Sequence, residues 1–306
     1  MISRRQAIQL SAGLLTYPIL GLWNASLAGQ RPLIQRRIPS SGELLPVIGM
    51  GTSRTFDTNI NAESIANLTQ VMTLFFNGGG KVIDSSPMYG SAETRIGDVL
   101  RSLQDLPALF AATKVWTSGE QRGIDQMEES AKRMDVKKFD LIAVHNLKDL
   151  QTQLTTLKRW KRKGKLNYIG VTTSHGRNHE DLSKVMRREP LDFVQFSYNS
   201  EDREAEQVLL PLAHDRGIAT MINRPYQRGS LFGKSQGAPL PELAEELGCS
   251  SWGQFYLKFI LGHRAVTCII PATANPDHMA DNMLANFGLV PNATQRAEML
   301  KIYESM

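Results

Sequence analysis

The chain has 306 residues, 42% hydrophobic and 21% charged, the proportions of an ordinary globular protein with a sizeable core. Lys and Arg number 35 against 30 Asp and Glu, a net charge of +5. So small a bias, with no interleaving of aromatic and basic residues, excludes nucleic-acid binding as the organising function. Two cysteines, Cys249 and Cys268, are too few for a disulfide framework or a thiolate metal site, and no metal is expected. Buried free thiols are the expected state, a single bridge the alternative.

In chain order, residues 1–28 read as an export leader and not as part of the fold. Arg4-Arg5 opens it, residues 10–22 are moderately apolar, and Ala25-Ser26-Leu27-Ala28 offers small residues for cleavage before Gly29. The pattern resembles a twin-arginine signal, with Ala7 where a larger apolar residue is usual. The expectation is a periplasmic or otherwise exported protein, with no membrane span left after leader removal. An uncleaved anchor is the alternative, although the short stretch containing Pro18 is poor material for a full span. Residues 29–306 are expected to form one domain.

Short apolar runs then alternate with longer amphipathic segments. Strands are predicted over 47–51, 81–85, 110–115, 139–145, 168–172, 193–198, 218–222 and 266–270. Between them, Leu68, Val71, Met72 and Phe75 line one helix face, as do Ile96, Val99, Leu100 and Leu103, and Leu150, Leu154, Leu157 and Trp160. Gly78, Gly164 and Gly217 read as helix stops. Asn77-Gly78-Gly79-Gly80 leads into a strand, so it reads as a turn and not a phosphate loop. The basic run 158–165 suits a helix C-terminus. Residues 229–241 read as a long loop after the seventh strand, and 293–306 as a final helix. Eight strand–helix repeats predict an α/β fold, a (β/α)8 TIM barrel.

Barrels keep their chemistry at the carboxyl ends of the strands. Asp84 ends the second predicted strand, Lys114 the third and His145 the fourth, with Tyr89 five residues beyond Asp84. A phenol with an ordinary pKa of about 10 needs tuning to act as an acid at neutral pH. An adjacent Lys114 ammonium is expected to lower that pKa, with Asp84 keeping the ammonium charged. His145 is placed to donate a hydrogen bond to a carbonyl oxygen. Lys114 also reads as a Schiff-base lysine, a role against which a neighbouring carboxylate works.

Met50-Gly51-Thr52, Ile83-Asp84-Ser85-Ser86-Pro87-Met88-Tyr89-Gly90 with Glu93, the run 164–171, and the run 270–278 with Asp281-Asn282 carry a resemblance. Together they resemble the aldo-keto reductase family over nearly all of the chain after the leader. The resemblance implies NADP(H) or NAD(H), bound without a Rossmann fingerprint, and a catalytic tetrad of Tyr89, Asp84, Lys114 and His145. It implies cofactor contacts from Thr52, Ser53, Asp84, Thr172, Thr173, Gln195, Asn223, Arg224, Pro225, Pro271, Thr273, His278, Asp281 and Asn282.

Departures are as informative. Thr172-Thr173 replaces the usual Ser-Asn, and Asn223 replaces the tyrosine that supports the nicotinamide. Ala272 and His278 stand where NADPH-preferring members carry lysine and arginine. Arg224 reads equally as a pyrophosphate ligand and as a surface ion-pair residue. No long loop follows the final helix, so the pocket is expected to be open or completed by a partner protein. Arg54, Phe56 and Trp116 are the expected substrate-lining residues, with packing the alternative for Trp116. The implied function is NAD(P)H-dependent reduction of a small aldehyde or ketone to an alcohol. The alternative is a nicotinamide-binding sensor or regulatory protein on the same barrel.

Overall fold

A computed structural model describes residues 32–103, 108–174 and 178–306. The leader predicted over residues 1–28 lies outside the described residues. An antiparallel hairpin comes first, β1 (Gln35–Arg37) with β2 (Leu44–Pro46). Eight parallel strands follow: β3 (Met50–Gly51), β4 (Val82–Asp84), β5 (Phe110–Val115), β6 (Phe139–His145), β7 (Leu166–Thr172), β8 (Phe193–Ser197), β9 (Ala219–Asn223) and β10 (Cys268–Ile269). They pair in sequence order. Bridges Ile48–Ile269 and Gly51–Ala272 join the last strand to the first, so the sheet closes into the predicted (β/α)8 barrel.

The crossover helices are α1 (Ala62–Asn77), α2 (Ala92–Ser102), α3 (Glu120–Met134), α4 (Leu150–Arg162), α5 (His179–Arg188) and α6 (Leu209–Arg216). Short α7 (Leu231–Lys234) and α8 (Glu242–Glu246) precede α9 (Trp252–Leu261), α10 (Pro276–Leu284) and α11 (Ala293–Ser305). Helix α1 buries Leu68, Val71, Met72 and Phe75, the stripe its spacing predicts, and starts on a capping box between Asn61 and Ser64.

Strand alternation divides the core in two. Val82, Phe110, Ala112, Leu141, Tyr168, Phe193, Ala219 and Met221 point into the barrel, while Ile83, Ala111, Ile142, Ile169, Val194 and Ile222 face the helices. Ile38 and Leu45 of the β1–β2 hairpin join the interior layer and plug its amino end. Tyr168 reaches through that floor, its hydroxyl donating to Glu43 Oε2 at 2.6 Å and lying 2.8 Å from the Ser41 hydroxyl. At Gly170 a Cβ would stand 2.8 Å from the Phe193 carbonyl oxygen, so only glycine lets the strands approach there.

Three expectations need correction. The first and last barrel strands are two residues long, because pairing there reduces to the closing bridges. The hairpin was not legible as strands, because β1 and β2 have three residues each. The loop over 229–241 contains helix α7, pinned where Trp252 Nε1 donates to the Ala238 carbonyl at 3.0 Å.

The basic run sits at the end of α4 as expected, and much of it is paired: Lys158 with Glu189, Arg159 with Glu120, Lys161 with Asp192. Cys249 and Cys268 are buried free thiols. Among the described residues no helix is long and apolar enough to cross a membrane.

Candidate active site

The inward phase of each strand runs to its carboxyl end and carries the polar residues there. Phe110 and Ala112 point inward, and so does Lys114; Leu141 and Ala143 lead to His145, Val82 to Asp84, and Phe193 to Gln195. Neighbouring registers bring them level: Asp84 opposite Ala112, Lys114 opposite Ala143, His145 opposite Thr172, Thr172 opposite Gln195.

Tyr89 arrives by a turn. Pro87 follows Ser86, and the Tyr89 amide donates to the Ser86 carbonyl at 3.0 Å, closing Ser86–Tyr89 into a β-turn. Gly90 then adopts φ of 57°, where a side chain would collide with the Asp57 carboxylate. The turn sets the Tyr89 ring edge-on to His145, centroids 6.0 Å apart, with Lys114 Nζ 5.1 Å from the phenol ring centroid.

The tetrad is therefore one cluster. Lys114 Nζ donates to Asp84 Oδ2 at 2.6 Å and to the Ser85 carbonyl at 2.7 Å. Burial opposes the ammonium, but the charge of Asp84, then of Tyr89, outweighs it and holds the Lys114 pKa above the usual lysine value. Burial pushes Asp84 up, while the Lys114 charge pulls it back. We take the pair as ionic, because the 2.6 Å contact joins the two charged forms.

Tyr89 differs from the expectation. Burial raises its pKa above 10 and outweighs the lowering by Lys114, so the ammonium limits the rise and does not bring the phenol toward neutrality. At neutral pH the phenol holds its proton. His145 is pushed down to about 3, by burial first and by the Lys114 charge second, so it is a neutral imidazole. Its Nδ1 lies 3.1 Å from Ser86 Oγ.

A cavity of about 1070 Å³ opens above this cluster, lined by Asp84, Tyr89 and His145. Of the other predicted residues its wall contains Thr52, Ser53, Arg54, Gln195, Asn223, Arg224, Pro225, Thr273, His278, Asp281 and Asn282. Lys114 lies beneath the wall, fully buried. Thr172 and Thr173 stand behind it: the Thr172 hydroxyl donates to Gln195 Oε1 at 2.9 Å, and Asn223 Nδ2 donates to the Thr173 carbonyl at 3.1 Å. Pro271 is buried outside the lining. Phe56 is wholly buried in the core, and Trp116 lies on the surface under Lys148 Nζ, 4.3 Å from its ring centroid; neither lines the cavity.

The wall also carries aromatic rings and guanidinium groups. Tyr226, Phe232 and Trp252 stand on it with Arg224, Arg228 and His278. Arg224 has φ of 51°, and its carbonyl accepts from Asn199 Nδ2 at 3.0 Å. Asp281 is engaged within the protein by Ser251 and Gln254, both at 2.6 Å, and Asn282 Oδ1 accepts from the Tyr226 hydroxyl at 2.6 Å. Tyr226, Phe232, Trp252 and Ser86 escaped the sequence reading. Phe232 lies within the 229–241 segment already identified after the seventh strand and Tyr226 just before it, the one signal that could have found these two.

This cavity fits an extended dinucleotide. It has the volume for one beside a small substrate, and its wall carries the side-chain amides of Gln195 and Asn223 together with guanidinium and aromatic groups. Asn223 Oδ1, on the same wall, has no hydrogen-bond partner among the described residues.

The family profile described as "Aldo/keto reductase family" matches residues 47–301. The chain is 26% identical over 256 residues to methylglyoxal reductase YeaE of Escherichia coli K12, covering 81% of this chain and 88% of that protein. It is 23% identical over 183 residues to the NADH-specific methylglyoxal reductase of the same organism, 51% of this chain and 55% of that one. The crystal structure of a Klebsiella pneumoniae aldo/keto reductase with NADP and acetate superposes with a TM-score of 0.72 at 22% identity, covering 86% of this chain and 93% of that one. With the barrel, the tetrad cluster and a profile match over most of its length, the chain belongs to the aldo/keto reductase family of oxidoreductases.

Proposed function

We propose that the protein reduces a small aldehyde or ketone to the alcohol with NADPH or NADH, Tyr89 giving the proton. The observation that carries this reading is the convergence of Tyr89, His145 and the Lys114–Asp84 pair on one cavity. The cofactor, when bound, supplies a hydride to the carbonyl carbon. The two electrons of the C=O π bond move to oxygen, and that oxygen takes the Tyr89 proton. Lys114 stabilises the phenolate left behind, and Asp84 keeps Lys114 charged and in place. His145, neutral, donates a hydrogen bond that orients the carbonyl and offsets charge building on its oxygen. Gln195 and Asn223 are suited to hold the amide end of the cofactor, and Arg224, Arg228 and His278 its phosphates.

The relatives named for methylglyoxal make 2-oxoaldehydes the first substrates to test. Purified protein is mixed with NADPH or NADH and a panel of carbonyls, and cofactor oxidation is followed by absorbance. Turnover is expected with at least one carbonyl and falls about 10²–10⁴-fold in Tyr89→Phe. Fluorescence titration with both nucleotides ranks them. Tight nucleotide binding without turnover on any carbonyl would overturn the reading.

We also propose export through the leader at residues 1–28, on the strength of Arg4-Arg5 and the small residues before Gly29. Cell fractionation tests it: mature protein is expected outside the cytoplasm and precursor inside when Arg4 and Arg5 become lysine. Full-length protein confined to the cytoplasm would refute it.

A further inference from the structure

Ser86 lies two residues past Asp84, wholly buried, and its chemistry has no part in the reaction as described above. Its Oγ is 3.1 Å from His145 Nδ1, across 59 residues of sequence. The Met88 amide donates to the same oxygen at 3.4 Å. A backbone N–H can only donate, so it occupies a lone pair of Ser86 and leaves the hydroxyl hydrogen to be placed. Among the described residues, the one acceptor within reach of that hydrogen is His145 Nδ1. The reverse arrangement, Nδ1–H donating to Ser86, would leave the hydroxyl hydrogen buried without an acceptor, which proteins avoid.

We propose that Ser86 is a positioning residue that fixes the tautomer of His145, holding Nδ1 as an acceptor and the single ring proton on Nε2. A neutral imidazole has one N–H, and the bond at one nitrogen decides which nitrogen keeps it. His145 lines the cavity, and its Nε2 has no protein partner among the described residues. The proton therefore sits on the nitrogen free to meet a ligand. An Nδ1–H tautomer would present a lone pair to a carbonyl oxygen, and repulsion would replace a hydrogen bond.

The local fold explains how so small a residue can do this. Pro87 and the Ser86–Tyr89 turn fix the backbone on both sides, and the Met88 amide that closes on Ser86 Oγ orients its hydroxyl. One turn thus places the phenol that gives a proton and the hydroxyl that orients the other donor. The tautomer assignment stands on this geometry; its consequence for catalysis rests on the proposed carbonyl reduction.

The test is a long-range ¹H–¹⁵N spectrum of the full chain labelled with ¹⁵N, in which a His145→Gln variant identifies the His145 ring signals. The expected wild-type pattern has a protonated Nε2 and an unprotonated, hydrogen-bonded Nδ1. In Ser86→Ala the two nitrogen shifts move toward each other as the second tautomer becomes populated, while Ser86→Thr, which keeps the hydroxyl, retains the wild-type pattern. Carbonyl reduction in Ser86→Ala falls about two- to twelve-fold, the worth of one hydrogen bond. A wild-type proton on Nδ1 overturns the assignment, as does a Ser86→Ala spectrum matching the wild type. If wild-type protein reduces no carbonyl, the reaction fails and the spectrum still decides the tautomer.

Discussion

Lys114 Nζ and Asp84 Oδ2 stand 2.6 Å apart on adjacent strands, the lysine wholly buried and the aspartate 4% exposed. Two opposite charges removed from water in this way are held by each other, and removing one strands the other. Asp84→Asn is therefore expected to lower stability by about 3–5 kcal/mol and to abolish reduction. Adding Lys114→Met to it removes the stranded charge and recovers part of that stability, with activity still lost. Urea denaturation of wild type, both single variants and the double variant measures the coupling.

On the proposed mechanism, the pH response follows from Tyr89 and His145 together. Burial holds the phenol above its usual pKa of 10, so the acid form is full at neutral pH and declines only as pH climbs past about 10. His145, pushed down to about 3, stays neutral across the same range. Carbonyl reduction at saturating substrate is expected to be flat from pH 6 to 9, to within about two-fold. Alcohol oxidation needs the phenolate as base and is expected to rise with pH over that interval. A bell centred near neutrality in the reductive direction would place the proton elsewhere.

Gly90 carries the chain from Tyr89 into the start of α2 with φ of 57°. A Cβ there would stand 2.2 Å from Asp57 Oδ1, whose carboxylate accepts from the Ser91 amide at 2.9 Å. Gly90→Ala is expected to cost about 1–3 kcal/mol and to shift Tyr89 enough to lower kcat more than it raises KM. Gly90→Ala with Asp57→Ala relieves the collision but not the backbone strain, so only part of the loss returns. Thermal melts and steady-state kinetics of the wild type and the two variants check it.

Much of this site was legible because strand period and strand end are local properties. Phe110-Ala111-Ala112-Thr113-Lys114 alternates inward and outward, which puts Lys114 in the barrel without any knowledge of its neighbours. Asp84, His145 and Gln195 follow by the same rule. Ser86 was not legible: beside a proline it reads as a turn residue, and its partner is 59 residues away. Tyr226 meets Asn282 across 56 residues, a contact that exists only once the barrel closes. Phe56 failed for the opposite reason. A phenylalanine in the first loop reads as a pocket wall, yet the loop turns it wholly into the core. The Tyr89 pKa depended on the balance between burial and one ammonium, which spacing alone does not weigh.

His145 also makes the fold sensitive to acid. In the folded chain it takes up a proton only near pH 3, whereas an unfolded histidine does so near 6.5. Between those values the unfolded chain binds the extra proton, so falling pH favours unfolding. The contribution is fully present above about 6.5 and drains away as pH approaches 3, on the order of 3 kcal/mol by pH 4. His263, pushed down to about 4, acts in the same sense. Melting temperatures of wild type and His145→Gln from pH 8 to pH 4 separate the two histidines, because His263 and every carboxylate are common to both proteins. The wild type is expected to lose stability more steeply below pH 6.5, so the gap between the two curves changes in favour of the variant as pH falls. Parallel curves would mean that the folded site accepts a proton on His145 as readily as water does, which burial beside the Lys114 ammonium forbids.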